Sequence, residues 1–143
     1  DKRLTQTSYG KRMLAGLRAE GEAAVLVHWT LAEDLRALKR TQDAINAGRP
    51  LPLALREARV WGTKERLFER ALPLFTDSAL AQLLHAAQIC DGLVKGLKHP
   101  DWPLEPWDGL KRLVLMAMQS TSVAPGAARG RVVVVPPRLA LGA

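Results

Sequence analysis

One cysteine, one tyrosine and two phenylalanines in 143 residues leave little of the material that several protein classes require. The lone thiol, Cys90, excludes an internal disulfide and any zinc site built from several cysteines, and it suits a reducing compartment. No apolar run approaches the roughly 20 residues that cross a bilayer, and the opening DKRLTQTSYG lacks the hydrophobic stretch of a signal peptide. Aromatic residues make up only 5% while Leu and Ala abound, a balance that favours helix packing over sheet packing. Catalytic signatures are missing too: there is no Gly-rich phosphate loop with its Lys and Ser or Thr, and no His-Glu-x-x-His. His28, His85 and His99 show no ligand spacing with one another or with Cys90, so no catalytic residue, metal or cofactor is expected. His28 and His85 fall on or beside apolar stripes and read as satisfied helix-packing residues. Cys90, between Ile89 and Asp91 inside a helical pattern, reads as a buried, inert thiol. The Glu33–Asp34 and Glu65–Glu69 carboxylates lie among Arg and Lys at helical spacing and read as surface ion pairs.

The length suits one domain, and a hydrophobic content of 48% excludes wholesale disorder. The chain opens on Asp rather than Met and reads as a fragment of a longer protein. Its formal charge of +7 is uneven. Residues 1–12 hold four Lys or Arg against one Asp, and residues 121–143 hold Arg129, Arg131 and Arg138 with no acid. The middle is almost balanced, so bulk charge alone does not argue for nucleic acid.

Three segments follow: residues 1–10, which carry no clear pattern; a helical domain over 11–120; and a low-complexity tail over 121–143. Met13, Leu14 and Leu17 predict a first helix over 11–20. Ala24, Val27, His28, Leu31, Leu35, Leu38 and Ile45 predict a second from Glu22 to Ala47, stopped by Gly48 and Pro50. A short helix over 51–59 leads to Gly62, with Thr63 as the expected cap of the next, which Pro73 ends or kinks. Thr76, Asp77 and Ser78 cap a long helix to about Lys98, its buried stripe running Leu80, Leu83, Leu84, Ala87, Cys90, Val94 and Leu97. The last helix starts near Glu105 with Pro106 in its first turn and ends at about Gln119. The tail, with its RVVVVPPR run, has strand propensity but no sheet to join, and reads as loosely held or packed on a neighbouring molecule. The fold class is all-α, a bundle of five to six helices.

Four tryptophans remain to be placed. Trp29 and Trp107 fall inside helices and are expected in the core. Trp61 and Trp102 fall in the connections ARVWGTKE and KHPDWPLEP, both with basic neighbours. An exposed ring beside a cation holds unpaired bases, by stacking at roughly 1–3 kcal/mol per base while the cation tracks phosphate. Trp61, Trp102, Arg59 and Lys64 are therefore candidate nucleic-acid contacts. Rings that merely close helix corners satisfy the same spacing.

The series LRAEGEAAVLVHWTLAEDLRAL, REARVWGTKERLFERAL, LLHAAQICDGLVKGLK and PWDGLKRLVL, spread over residues 12–119, resembles the C-terminal domains of the delta subunits of bacterial DNA polymerase III. The resemblance lies in the E-G-E helix junction, the R-V-W corner, the L-K-G-L helix end and the W-x-x-L start of the last helix. It implies a non-catalytic collar domain of the sliding-clamp loader, in the bacterial cytoplasm. The implied neighbours are the gamma or tau and delta-prime subunits, and the clamp itself is reached only through an N-terminal part absent here. It also implies contact with primer–template DNA through Trp61 and, across a longer and more Pro-rich loop than the family's, Trp102. Packing into a collar asks for a second apolar face, for which Ile89, Leu93, Leu115 and Met116 are the candidates; a fully buried central helix satisfies the same pattern. The rival readings are a free-standing helical DNA-binding module, with residues 51–75 as a helix-turn-helix, and a helical adaptor. Against the first, Leu67, Phe68, Leu72, Leu74 and Phe75 are expected to leave little of the second helix free to read a groove.

Overall fold

Leucines and alanines spaced three and four apart wind the chain into six α-helices and one 3₁₀ turn over residues 2–121. This is the span that the computed structural model describes, with side chains from Lys11 onward, and it contains no strand. The all-α expectation holds. The helices are α1 (Lys2–Ala19), α2 (Ala24–Asn46), α3 (Leu51–Glu57), α4 (Thr63–Ala71), α5 (Asp77–Val94) and α6 (Pro106–Gln119), with the 3₁₀ turn Leu72–Leu74 after α4. α1 begins at Lys2 rather than at residue 11, because its first turns carry no apolar rhythm to announce them. The Val-rich run of the tail lies outside the described residues.

α2 and α5 form the central antiparallel pair. At one end the Asn46 Nδ2 donates to the Asp77 carboxylate at 3.1 Å, and at the other His28 faces Asp91 at 3.8 Å. α6 returns along α5, so close that a Cβ on Gly109 would stand 2.8 Å from Leu93 Cδ1. α1 lies antiparallel on α6, where Arg18 reaches Glu105 at 3.5 Å and stands over the Trp107 ring. α3 packs on α2, and Lys64 at the start of α4 pairs with Asp34 of α2 at 2.8 Å. Leu80, Leu83, Leu93, Leu110, Leu113 and Met116 fill the centre, fully buried. Each contributes about 1.5–3 kcal/mol by leaving water.

Four helices stop in the same way. After α1, α2, α3 and α5 the second residue past the cap donates its N–H back to the last turn: Glu22 to Leu17, Arg49 to Ala44, Val60 to Leu55 and Leu97 to Gly92. This closure needs a left-handed residue just before the donor. Three helices supply glycine (Gly21, Gly48, Gly96), whereas α3 supplies Arg59, at φ 61°. The Gly96 stop ends α5 at Val94, short of Lys98, and turns Leu97 back over Gly92, leaving it 68% exposed rather than in the stripe. Thr76 caps α5 as its spacing suggests, its hydroxyl accepting from Ala79 N–H at 3.0 Å. Thr63 does not cap α4; Gly62 takes that position without a side-chain bond. Among the described residues no helix is long and apolar enough to cross a membrane.

Candidate nucleic-acid interface

The α3–α4 corner is held from inside. Ala58 and Val60 are buried, so the backbone between and after them turns Arg59 and Trp61 outward, Trp61 to 60% exposure. Gly62 then takes φ 70° and ψ −142°, a conformation that side-chain-bearing residues avoid, and α4 restarts at once. Lys64 shares the corner, but its ammonium sits on Asp34, a half-exposed pair that partly cancels it. Three of the four candidate contacts therefore lie together.

The surroundings add what the separate motifs did not show. Residues 49–71 carry six Lys or Arg against three Glu. Arg49 pairs with Glu57 at 3.1 Å, while Arg56, Arg59, Arg66 and Arg70 have no acidic partner among the described residues. This local excess of three positive charges vanishes when residues 13–120 are summed as a whole. The expectation that α4 is mostly buried is corrected: only Phe68 is enclosed, Leu67 is 58% exposed, and the polar residues of α4 face outward.

Trp102 is a different case. The expectation of a solvent-reachable ring is overturned, because Trp102 is 5% exposed. His99 folds the loop by accepting the Trp102 N–H on its carbonyl at 3.1 Å and the Asp101 N–H on Nδ1 at 3.1 Å. The ring then slides beneath Arg112 of α6, whose guanidinium lies 4.9 Å from its centroid and donates to the Asp101 carbonyl. Trp102 Nε1 is buried with no hydrogen-bond partner among the described residues. It closes a helix corner and is not placed with Trp61.

The apolar contacts expected for neighbours also divide. Leu93 and Met116 are inside this chain's own core at 2% and 1% exposure, which corrects their reading as interface residues. The α5–α6 approach at Gly109 encloses Leu93, and Met116 lies one helical turn from Leu113 on the same buried stripe of α6. Ile89 and Leu115 are half-buried. Trp29, expected in the core, is 60% exposed, beside Val25 and Leu26 on the outer side of α2. Trp107 packs against the core, half-buried. Next to Trp29 runs a trough of about 570 Å³ between α2 and α5, with Ala32 and Ala87 as its floor and Arg36, Gln88, Asp91 and Lys95 on its rim.

His28 lies in that trough, enclosed, with Nδ1 lacking a hydrogen-bond partner among the described residues, so it is buried but not satisfied there. Desolvation lowers its pKa; Asp91 opposes the shift, and the Arg36 and Lys95 charges add to it. His85 is exposed rather than packed. Cys90 is wholly enclosed, and burial, aided by the Asp91 charge, pushes its thiol up to about 12, the behaviour of an unreactive core residue. Glu33 and Asp34 engage Arg36 and Lys64 as surface pairs. No three His, Cys, Asp or Glu side chains gather into a metal-holding group among the described residues. No protein-family model matches the chain, and no curated protein or solved structure matches it either.

Proposed function

We infer that this chain is the non-catalytic helical collar domain of a clamp-loader delta subunit, serving sliding-clamp loading in DNA replication in the bacterial cytoplasm. The reading rests on the ordered resemblance over residues 12–119. It is supported by one observation above all: the R-V-W corner presents Trp61 to solvent amid arginines that have no acidic partner among the described residues. An indole so placed stacks on an unpaired template base, while Arg56, Arg59 and Arg66 attract its phosphates. The partners are the gamma or tau and delta-prime subunits, with primer–template DNA met weakly and only in the assembly. The test is co-purification with those subunits at physiological salt. Stable capture supports the reading, and its absence removes it.

A second reading has its own observation. α4 leaves Lys64, Arg66 and Arg70 outside, as a groove-reading helix requires. Glu65 and Glu69 alternate with them, which weakens phosphate attraction along the helix. A sequence-specific footprint from the isolated chain would establish this free-standing DNA-binding role in place of the first.

A further inference from the structure

A second groove, of about 480 Å³, opens at the end of the bundle where α2 stops and α5 starts. Its walls are apolar: Leu51, Leu72 and Phe75 are half-buried in it, and Ile45 and Pro73 are exposed. Its charges are of one sign. Glu69 and Asp77 line it, with no Lys or Arg among the lining residues. Asp77 accepts from the neutral Asn46 amide, which leaves its charge in place, and Glu69 has no cationic partner among the described residues. Gln42, at the floor, is enclosed. Its Nε2 donates to the Phe75 carbonyl at 2.9 Å, and its Oε1 has no hydrogen-bond partner among the described residues. The groove thus asks for apolar side chains, positive charge and a hydrogen-bond donor together.

We propose that its occupant is the chain's own segment RVVVVPPR, residues 131–138, folded back onto the bundle that it follows. The segment carries the complement of each feature. Four valines supply apolar side chains, Arg131 and Arg138 flank them, and no acidic residue occurs after Thr121. Valines followed by paired prolines favour an extended backbone, whose N–H groups are donors. Reach is no obstacle. Gly109 of α6 lies against Leu93 of α5; α6 ends ten residues after Gly109, and α5 begins sixteen residues before Leu93. At 1.5 Å per residue those two ends are level to within about 9 Å. The linker 122–130 extends to roughly 30 Å.

Other surfaces suit the segment less well. The α2–α5 trough has Arg36 and Lys95 on its rim, and the Trp61 corner is itself basic. Tethering also removes the need for a large interface, since a short linker holds the segment at an effective concentration of about 1 mM. A dissociation constant on the order of 100 µM for the untethered segment then keeps the groove occupied about ten to one. The inference is independent of the replication reading and needs no other subunit.

Trypsin tests it, because cleavage tracks the undocked population. In the full 143-residue chain, cleavage after Arg131 and Arg138 is expected to run about tenfold slower than in a synthetic peptide of residues 122–143. Val133→Asp, a change within the segment, keeps the helical circular dichroism and restores the peptide's rate. Glu69→Gln and Ile45→Asp, across the groove, each speed cleavage at least threefold. If Ile45→Asp loses helical signal, Glu69→Gln decides. Cleavage as fast as in the peptide, a slow rate indifferent to Glu69→Gln, or protection that grows with protein concentration, the mark of a second copy's segment, overturns the proposal.

Discussion

Alanine in place of Trp61 and of Trp102 separates the two tryptophan corners by magnitude. Trp102 is 5% exposed, so deleting its ring removes nearly the roughly 250 Å² that the largest aromatics bury. At about 25 cal/mol per Å² this amounts to about 6 kcal/mol, an upper bound because the unfolded chain already hides part of that surface. Loss of the Arg112 cation–π contact adds about 0.5–1 kcal/mol, and removing the partnerless Nε1–H relieves part of the cost. The net expectation is about 3–5 kcal/mol, the usual range for large aromatics cut to Ala in cores. Trp61 buries only the remaining two-fifths of its surface, which bounds its contribution near 2.5 kcal/mol and sets the expectation at about 1–2. Urea unfolding followed by helical circular dichroism measures both. With a slope of about 2 kcal/mol per M, Trp102→Ala lowers the midpoint by roughly 1.5–2.5 M and Trp61→Ala by less than about 1 M. Equal shifts, or the reverse order, would refute the assignment of Trp102 to the interior and of Trp61 to the surface.

Two further outcomes follow from particular residues. Arg59→Gly is expected to stabilise the chain by about 0.5–1 kcal/mol, because a left-handed non-glycine residue costs about 1–2 kcal/mol and glycine returns part of that as chain entropy. A loss of stability on urea unfolding would mean that the Arg59 side chain holds the corner. For His28, burial lowers the folded pKa below 6.5 against the opposing Asp91 charge, with Arg36 and Lys95 assisting, so above pH 6.5 both states are neutral and stability is full. As pH falls below 6.5 the unfolded chain takes up a proton that the folded chain refuses, and stability declines until the lowered folded pKa is reached. Wild type therefore loses stability relative to His28→Gln in that window, and parallel pH profiles of the two proteins would exclude the effect.

The helices were legible where local and periodic signals agreed. Thr76 marked the start of α5, Pro106 that of α6, and the 3–4 spacing of Leu80, Leu83, Ala87 and Cys90 identified a stripe that is buried. α2 defeated the same logic. Ala24, Val25, Leu26 and Val27 are all apolar and wrap the first turn, so the pattern does not say which side meets the core. α5 decides it by taking His28, Ala32 and Leu35, which leaves Trp29 about 100° round the helix and outside. Trp102 failed for a similar reason. A loop containing three prolines reads as extended and exposed, and only the turn built by His99 together with Arg112 from α6 covers the ring. Arg59 in a left-handed turn lacked any sequence mark, since glycine holds that place after α1, α2 and α5.

The two exposed indoles differ in what surrounds them, and this decides what each can hold. Around Trp29 the cations Arg36 and Lys95 are matched by Glu33 and Asp91, so the ring lies in a nearly neutral field that attracts phosphate little. Around Trp61 several arginines lack acids among the described residues, so the same ring works in a positive field and its contacts weaken as salt rises. The consequence is a separation of effects. Under the proposed replication role, Trp61→Ala should weaken DNA contact by the assembled loader, and Trp29→Ala should leave that contact unchanged. Gel-shift assays of the assembly at low and physiological salt read both variants. Equal weakening by the two variants, both remaining folded, would mean that the charge around each ring does not decide what it holds.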